Sequence, residues 1–328
     1  MPNPQRSILA AVTIFFIAPI VAEFLLGDFP VTWLPVLLIL APMYGGGALL
    51  IRELVRRTGR GWPSILLLGV AYAIVEEAYT TQSLFNPNYL GMHLLAHAWI
   101  PALGIGAWWT LFMLNVHPFW SIGVSVALVE GLFPSRARTP WLGNIGLSVA
   151  ALLFAIGVFI NTSYAFHHDP FRASLAQFFV SALLVVVFIA AAFLIPRPAV
   201  QKIQRMAPSP WLTGLATFLL GAAIFAAPIL WNWGSVLWML VVDFVFLVSL
   251  WALSRLAGWT ALHTFSIGAA GALVYGVHAF IGKPVVPCSS WNALWSHVLF
   301  LVLALAAIAI AARRTRAALR ASEVETAQ

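Results

Sequence analysis

The sequence predicts an all-α membrane protein: a polytopic bundle of about ten transmembrane helices with the N-terminus and C-terminus both cytoplasmic. Three observations predict it. Of 328 residues, 62% are hydrophobic and only 8% are charged, against about 25% charged in a soluble domain, and mean hydropathy is +0.95. Apolar runs of about 20 residues, long enough to cross a hydrocarbon core, recur along the chain. The basic residues fall in short stretches between those runs, where they set orientation.

The runs place spans at 8–27, 31–51, 62–85, 102–132, 143–164, 174–195, 211–231, 235–253, 260–281 and 293–312. The first, Ile8–Gly27, is long for the apolar core of a signal peptide and no small-residue cleavage site follows it, so it is expected as a retained span. Residues 93–101 (HLLAHAWIP) are too short to cross and read as an interfacial or re-entrant piece leading into the fourth span. Trp62, Trp141, Trp211 and Trp259 each open a span, the position an indole takes in the headgroup layer. Gly45–Gly46–Gly47 in the second span and Gly268, Ala272 and Gly276 in the ninth offer small surfaces for close helix approach. Residues 1–312 thus form a single transmembrane domain, and 313–328 a basic cytoplasmic tail suited to anionic lipid.

With the N-terminus inside, fifteen of the 17 basic residues lie on the inner side and only Arg172 and Lys283 on the outer. That asymmetry sets the predicted topology. Arginine outnumbers lysine 15 to 2, the composition of a GC-rich bacterial genome, so the expected location is a bacterial-type plasma (inner) membrane. The pI near 10.2 then speaks of lipid as the partner; no nucleic acid is expected. One cysteine, Cys288, excludes an internal disulfide and any cysteine-based metal cluster. No histidine carries a haem-binding motif, so a divalent metal is the cofactor class the residues leave open.

Function is sought in the polar residues inside the spans. A charged side chain at the centre of a spanning helix costs about 2.5–3.5 kcal/mol on insertion scales, and such groups mark working sites. Glu76 and Glu77 are adjacent in the third span, pointing about 100° apart on a helix. His117, beside Pro118 and close to Asn115, lies in the fourth. At 1.5 Å per residue, Glu77 and His117 both stand about 22 Å above the inner ends of their spans. Glu23 falls at a similar height, Asp243 at about 15 Å, and His278 nearer the outer surface. Shared depth is necessary for a common site, though it leaves the facing of each helix open. His93 and His97 are four apart, on one face if helical and at a spacing used by zinc ligands. HLLAH lacks the glutamate of the HExxH motif, so an interfacial helix is the simpler expectation. His167–His168–Asp169 reads as a solvated loop, His263 and His297 lie near span ends, and Glu130 is placed to reach the interface or to pair with Arg136.

A Glu-Glu pair in one membrane helix followed by a histidine in the next resembles the CPBP (CAAX-processing and bacteriocin-processing) intramembrane proteases. The resemblance covers residues 62–120. It implies that Glu76 and Glu77 match the first motif and His117 the second, with His278 or His263 as a later histidine. The glutamate and histidines would activate water for hydrolysis of a peptide or membrane-protein substrate. The sequence departs from the pattern in two places: VEEAYTTQSL lacks the arginine after the pair, and neither His278 nor His263 is followed by Asn or Asp at the family spacing. Two other functions fit the same residues: a proton-coupled small-molecule transporter using Glu76, Glu77 and Asp243, and a non-catalytic protein in which the carboxylates fix helix pairing.

Overall fold

The computed structural model describes residues 7–196 and 203–327. Its α-helices are α1 (Ile8–Pro19), α2 (Leu37–Arg57), α3 (Trp62–Ile74), α4 (Ala107–Asn115), α5 (Ser125–Leu132), α6 (Asn144–His168), α7 (Leu175–Leu194), α8 (Pro210–Phe225), α9 (Trp233–Leu253), α10 (Ala261–His278) and α11 (Ser290–Ala327). Three are extended by wider-pitched π-helical turns: Ile20–Leu25 continues α1, Val75–Thr80 continues α3, and Val116–Val124 joins α4 to α5 as one rod. Strand structure among the described residues is limited to two short pairings, β1 (Trp99–Ile100) with β2 (Ile105–Gly106) and β3 (Ile203–Met206) with β4 (Leu256–Ala257). The molecule is an all-α polytopic membrane bundle.

Among the described residues, seven helical segments are long and apolar enough to cross a membrane: Ile8–Leu25, Val31–Arg57, Ala107–Leu132, Asn144–His168, Leu175–Leu194, Trp233–Leu253 and Ser290–Val324. The other three expected spans are present as helices with weaker signals. The α3 rod carries the two glutamates, α8 is only 16 residues, and α10 contains three glycines and ends on His278. Residues 313–327, expected as a separate tail, continue α11 without a break.

The rod Ala107–Leu132 is the most deeply buried span and sits among α3, α10, α11 and the first two rods. Helices α6, α7 and α9 lie outside and turn large apolar side chains outward, with Phe159 71% and Phe179 75% exposed, as lipid-facing surfaces do. Glycine sets how closely the inner rods approach. A Cβ on Gly45 would lie 1.9 Å from the carbonyl oxygen of Phe15 in α1, and one on Gly157 of α6 would lie 2.3 Å from the backbone nitrogen of Met43. The expected close packing at Gly268 and Gly276 is also present, against Ala127 of α5 and Leu301 of α11.

One end of the bundle gathers the arginines. Arg52 is fully buried at the end of α2, and its guanidinium reaches Glu53 (2.7 Å), Glu130 (3.1 Å) and the carbonyls of Arg136 (2.9 Å) and Ala137 (3.0 Å). Its face lies 3.5 Å from the Trp141 ring centre. Four acceptors satisfy the charge, which is the condition for burying one. Glu130 therefore pairs with Arg52 and Arg56, whereas pairing with Arg136 was expected. Trp141 is fully buried as the lid on Arg52, unlike the interfacial indole anticipated. Ser7 and Thr315 bond to Trp141 and Gly131 at this same end.

Residues 93–106 correct a sequence expectation. No helix places His93 and His97 on one face: His93 is left-handed (φ 51°) and exposed, a single 3₁₀ turn follows, and the chain then forms the β1–β2 hairpin closed by Gly104 (φ 65°). His97 packs its ring on Trp231, 4.0 Å between centres. The two histidines are not a ligand pair.

Candidate functional site

Among the described residues, all three π-helical turns carry ionisable residues of one cluster. Glu23 lies in Ile20–Leu25, Glu76 and Glu77 in Val75–Thr80, and His117 in Val116–Val124. A π-turn widens the helix and is frequent at functional sites. At Val75–Thr80 the wide pitch is seen directly: the Glu76 carbonyl accepts from the Thr81 N–H, five residues on, at 2.9 Å. At Val116–Val124 the sequence supplies a cause, since Pro118 has no N–H to give to an α-helical ladder.

The turns bring Glu76, Glu77 and His117 together, all three buried. His117 Nε2 lies 2.7 Å from Glu77 Oε1, and Nδ1 lies 3.2 Å from Glu76 Oε2. The other Glu77 oxygen accepts from Thr81 (2.9 Å) and from Ser83, whose own oxygen receives the Trp109 indole N–H at 3.0 Å. Glu77 is thus held by three partners. Glu76 differs: its Oε2 makes no hydrogen bond and meets only His117 Nδ1. Tyr44 and Tyr72 wall the imidazole at 6.5 and 6.0 Å between ring centres, and the Tyr44 hydroxyl donates to Glu23. Ser121 Oγ lies 3.4 Å from Nδ1.

Electrostatically the cluster is unbalanced. Glu76 and Glu77 share one ion-pairing partner, His117, while the described arginine pairs go to Glu53 and Glu130. Buried charge is tolerated only when paired, so two carboxylates beside one imidazole must be offset by a proton or a cation. One nitrogen and two carboxylate oxygens, one from each glutamate, all within 4.8 Å of one another, form a set able to hold a metal ion. Chemically the group can hold a proton, polarise a water or bind a divalent cation.

Other sequence-selected residues lie elsewhere. Asn115 turns away from its neighbour His117 and donates to Asp243 at 3.1 Å, so these two form a separate polar contact between α4 and α9. His278 packs against Phe225 at the end of α10, 4.4 Å between ring centres. His263 closes a capping box with Thr260 and contacts the Pro208 carbonyl at 2.8 Å, which gives it a role in starting α10. A separate cavity of about 570 Å³ between Ala279 and His297 contains none of the three cluster residues. Tyr44, Tyr72, Ser83 and Ser121 were not selected from sequence. Two carried a signal: Tyr72 precedes Glu76 by four residues and Ser121 follows His117 by four, the spacing of one helix face.

A family model described as an uncharacterized membrane protein family matches residues 12–327. No curated protein and no solved structure matches the chain.

Proposed function

The chain belongs to that uncharacterized membrane protein family, and from this premise we propose that it is an intramembrane peptidase or related hydrolase of the CPBP type. The observation that carries the reading is the His117 imidazole bracketed, within the bundle, by Glu77 on one nitrogen and Glu76 on the other. Glu76 is the base, because its Oε2 is free of hydrogen bonds. It takes a proton from water, the hydroxide adds to the scissile carbonyl, and the tetrahedral adduct collapses with loss of the C–N bond. The proton passes from Glu76 to the leaving amine. His117 orients the water from Nδ1 while Glu77, fixed by Thr81 and Ser83, holds the ring. In this reading the arginine-rich end faces the cytoplasm of a bacterial-type cell.

A proton-coupled transporter draws less support, since Asp243 spends its hydrogen bond on Asn115 and not on the cluster. A purely structural role calls for each carboxylate to be singly paired; here Glu77 has three partners, while Glu76 Oε2 meets only His117 Nδ1 and makes no hydrogen bond. The test compares new protein termini in membranes of cells producing the wild type or Glu76→Gln. Termini that depend on Glu76 are expected to fall by about 10²–10⁴-fold, the usual contribution of a general base. Identical terminus profiles overturn the reading.

A further inference from the structure

We infer that the cavity between the end of α10 and the start of α11 holds the head of an anionic amphiphile, a phosphate or carboxylate carried on an apolar chain and supplied from the bilayer. The cavity borders none of the glutamate–histidine cluster, so the inference goes beyond the hydrolase reading and does not rest on it.

Depth comes first. Ser290 opens α11 and lines the cavity. Thr315, later in the same unbroken helix, bonds to Gly131 at the arginine-rich end. At 1.5 Å per residue the two lie about 37 Å apart, against a hydrocarbon core about 30 Å thick. The cavity therefore stands at the opposite interface, at the level of lipid head groups. The residues flanking its lining agree. Ile281, Trp291 and Trp295 are 77%, 66% and 54% exposed, an apolar surface with indoles where the headgroup layer favours them.

The walls set the chemistry. One face of α11 supplies Ser290, Leu294 and His297 at helical spacing. The α10–α11 loop supplies the apolar side through Val285 and Val286, and it is fastened where the Val285 N–H donates to the Asp28 carbonyl at 3.0 Å. No acidic side chain borders the cavity, whereas Lys283 does, and Lys283 has no ion-pair partner among the described residues. Helix α11 also begins here, and the unsatisfied N–H groups of a helix N-terminus attract anions. His297 supplies the independent sign of a ligand. It is 6% exposed, its ring borders the cavity, and its Nε2 makes no hydrogen bond. A buried polar atom without a partner is costly, and an anionic oxygen is the acceptor that a ring N–H lacks. The volume, about 570 Å³, is that of a small-molecule site. It takes the head and first carbons of such a molecule and leaves the rest of the chain to lie along the exposed indoles. A positive pole inside apolar walls thus matches a ligand that is anionic at one end and apolar at the other.

Cys288, the only cysteine of the chain, is half-buried in the cavity wall, so its alkylation by N-ethylmaleimide reports occupancy. The experiment places the full-length protein in nanodiscs of phosphatidylcholine, alone or with rising fractions of phosphatidylglycerol or of oleate. Saturable slowing of Cys288 alkylation by one or both additions is expected; phosphatidylglycerol identifies a phosphate head and oleate a carboxylate. His297→Phe should raise the half-protecting fraction about tenfold, the usual effect of losing a hydrogen bond to a charged group. Lys283→Gln, at an exposed side chain, should raise it about threefold. No slowing by either addition overturns the inference. Slowing that is the same in wild type and both variants reports only the charge of the bilayer and overturns it too. Equal slowing by inorganic phosphate in phosphatidylcholine discs removes the amphiphile. Should His297→Phe fail to fold, the exposed substitution Lys283→Gln decides, and an unchanged half-protecting fraction there overturns the inference.

Discussion

Replacing Gly45 with alanine should loosen the candidate site without touching any of its charged groups. The new Cβ would stand 1.9 Å from the Phe15 carbonyl oxygen, whereas carbon and carbonyl oxygen in close contact sit about 3.3–3.6 Å apart. The obstacle is backbone, so no rotamer change relieves it; α1 and α2 must separate locally by about 1.4 Å or more. Overpacking of this kind costs about 1–3 kcal/mol, and the rigid neighbour puts the expected loss at the upper end. The strain also reaches the site, because Tyr44 is the adjacent residue and its hydroxyl donates to Glu23 on the continuation of α1. Reversible unfolding by SDS titration in mixed micelles reads the stability change. Gly234→Ala is the control: its nearest foreign atom, Leu230 Cβ, would sit at an ordinary 3.5 Å. A Gly45→Ala protein within about 0.5 kcal/mol of wild type, the range of an ordinary surface change, would refute the packing argument.

Arg52→Ala leaves Glu53 and Glu130 short of a partner and two carbonyls without a donor, so a loss of about 3–5 kcal/mol is expected in the same assay. Arg57→Ala, at a 23% exposed side chain, should cost under about 1 kcal/mol. Ser83→Ala removes a donor to Glu77 and strands the Trp109 indole N–H; destabilisation of about 1–3 kcal/mol, with a change in Trp109 fluorescence, is the expected outcome. Asp243→Asn should leave Glu76-dependent termini unchanged, since Asp243 bonds to Asn115 outside the cluster; their loss would return Asp243 to the working site and favour the transport reading.

Much of this was legible in the sequence because lipid makes polar residues conspicuous. Glu76, Glu77 and His117 stood out as costly groups in apolar runs, and equal depth suggested a meeting. Depth fixes height but not the direction a residue faces, which is why Asp243 and His278 were grouped with them and do not join them. Periodicity also misled at His93 and His97, where left-handed backbone breaks the helix on which the spacing argument rested. Arg52 was counted only among the basic residues near span ends, yet it is fully buried beside Glu53, since a count of charges says nothing of acceptors supplied by a distant loop. The family model assigns the membrane class and leaves the chemistry to the residues.

The three wide turns have a consequence for kinship. A π-turn holds one residue more than the α-helix it interrupts, so its geometry is a matter of counting. Deleting Ala78 from Val75–Thr80 removes no polar group, yet it restores ordinary pitch and turns Glu76 and Glu77 relative to the residues that follow. Thr81 and Ser83 would leave Glu77, and the cluster would lose its footing while every letter of its motif stayed in place. Relatives that keep the two glutamates and the histidine but lack the extra residue would share a spelling with this protein and not its centre. Chain length at these three points is therefore as much a part of the site as residue identity.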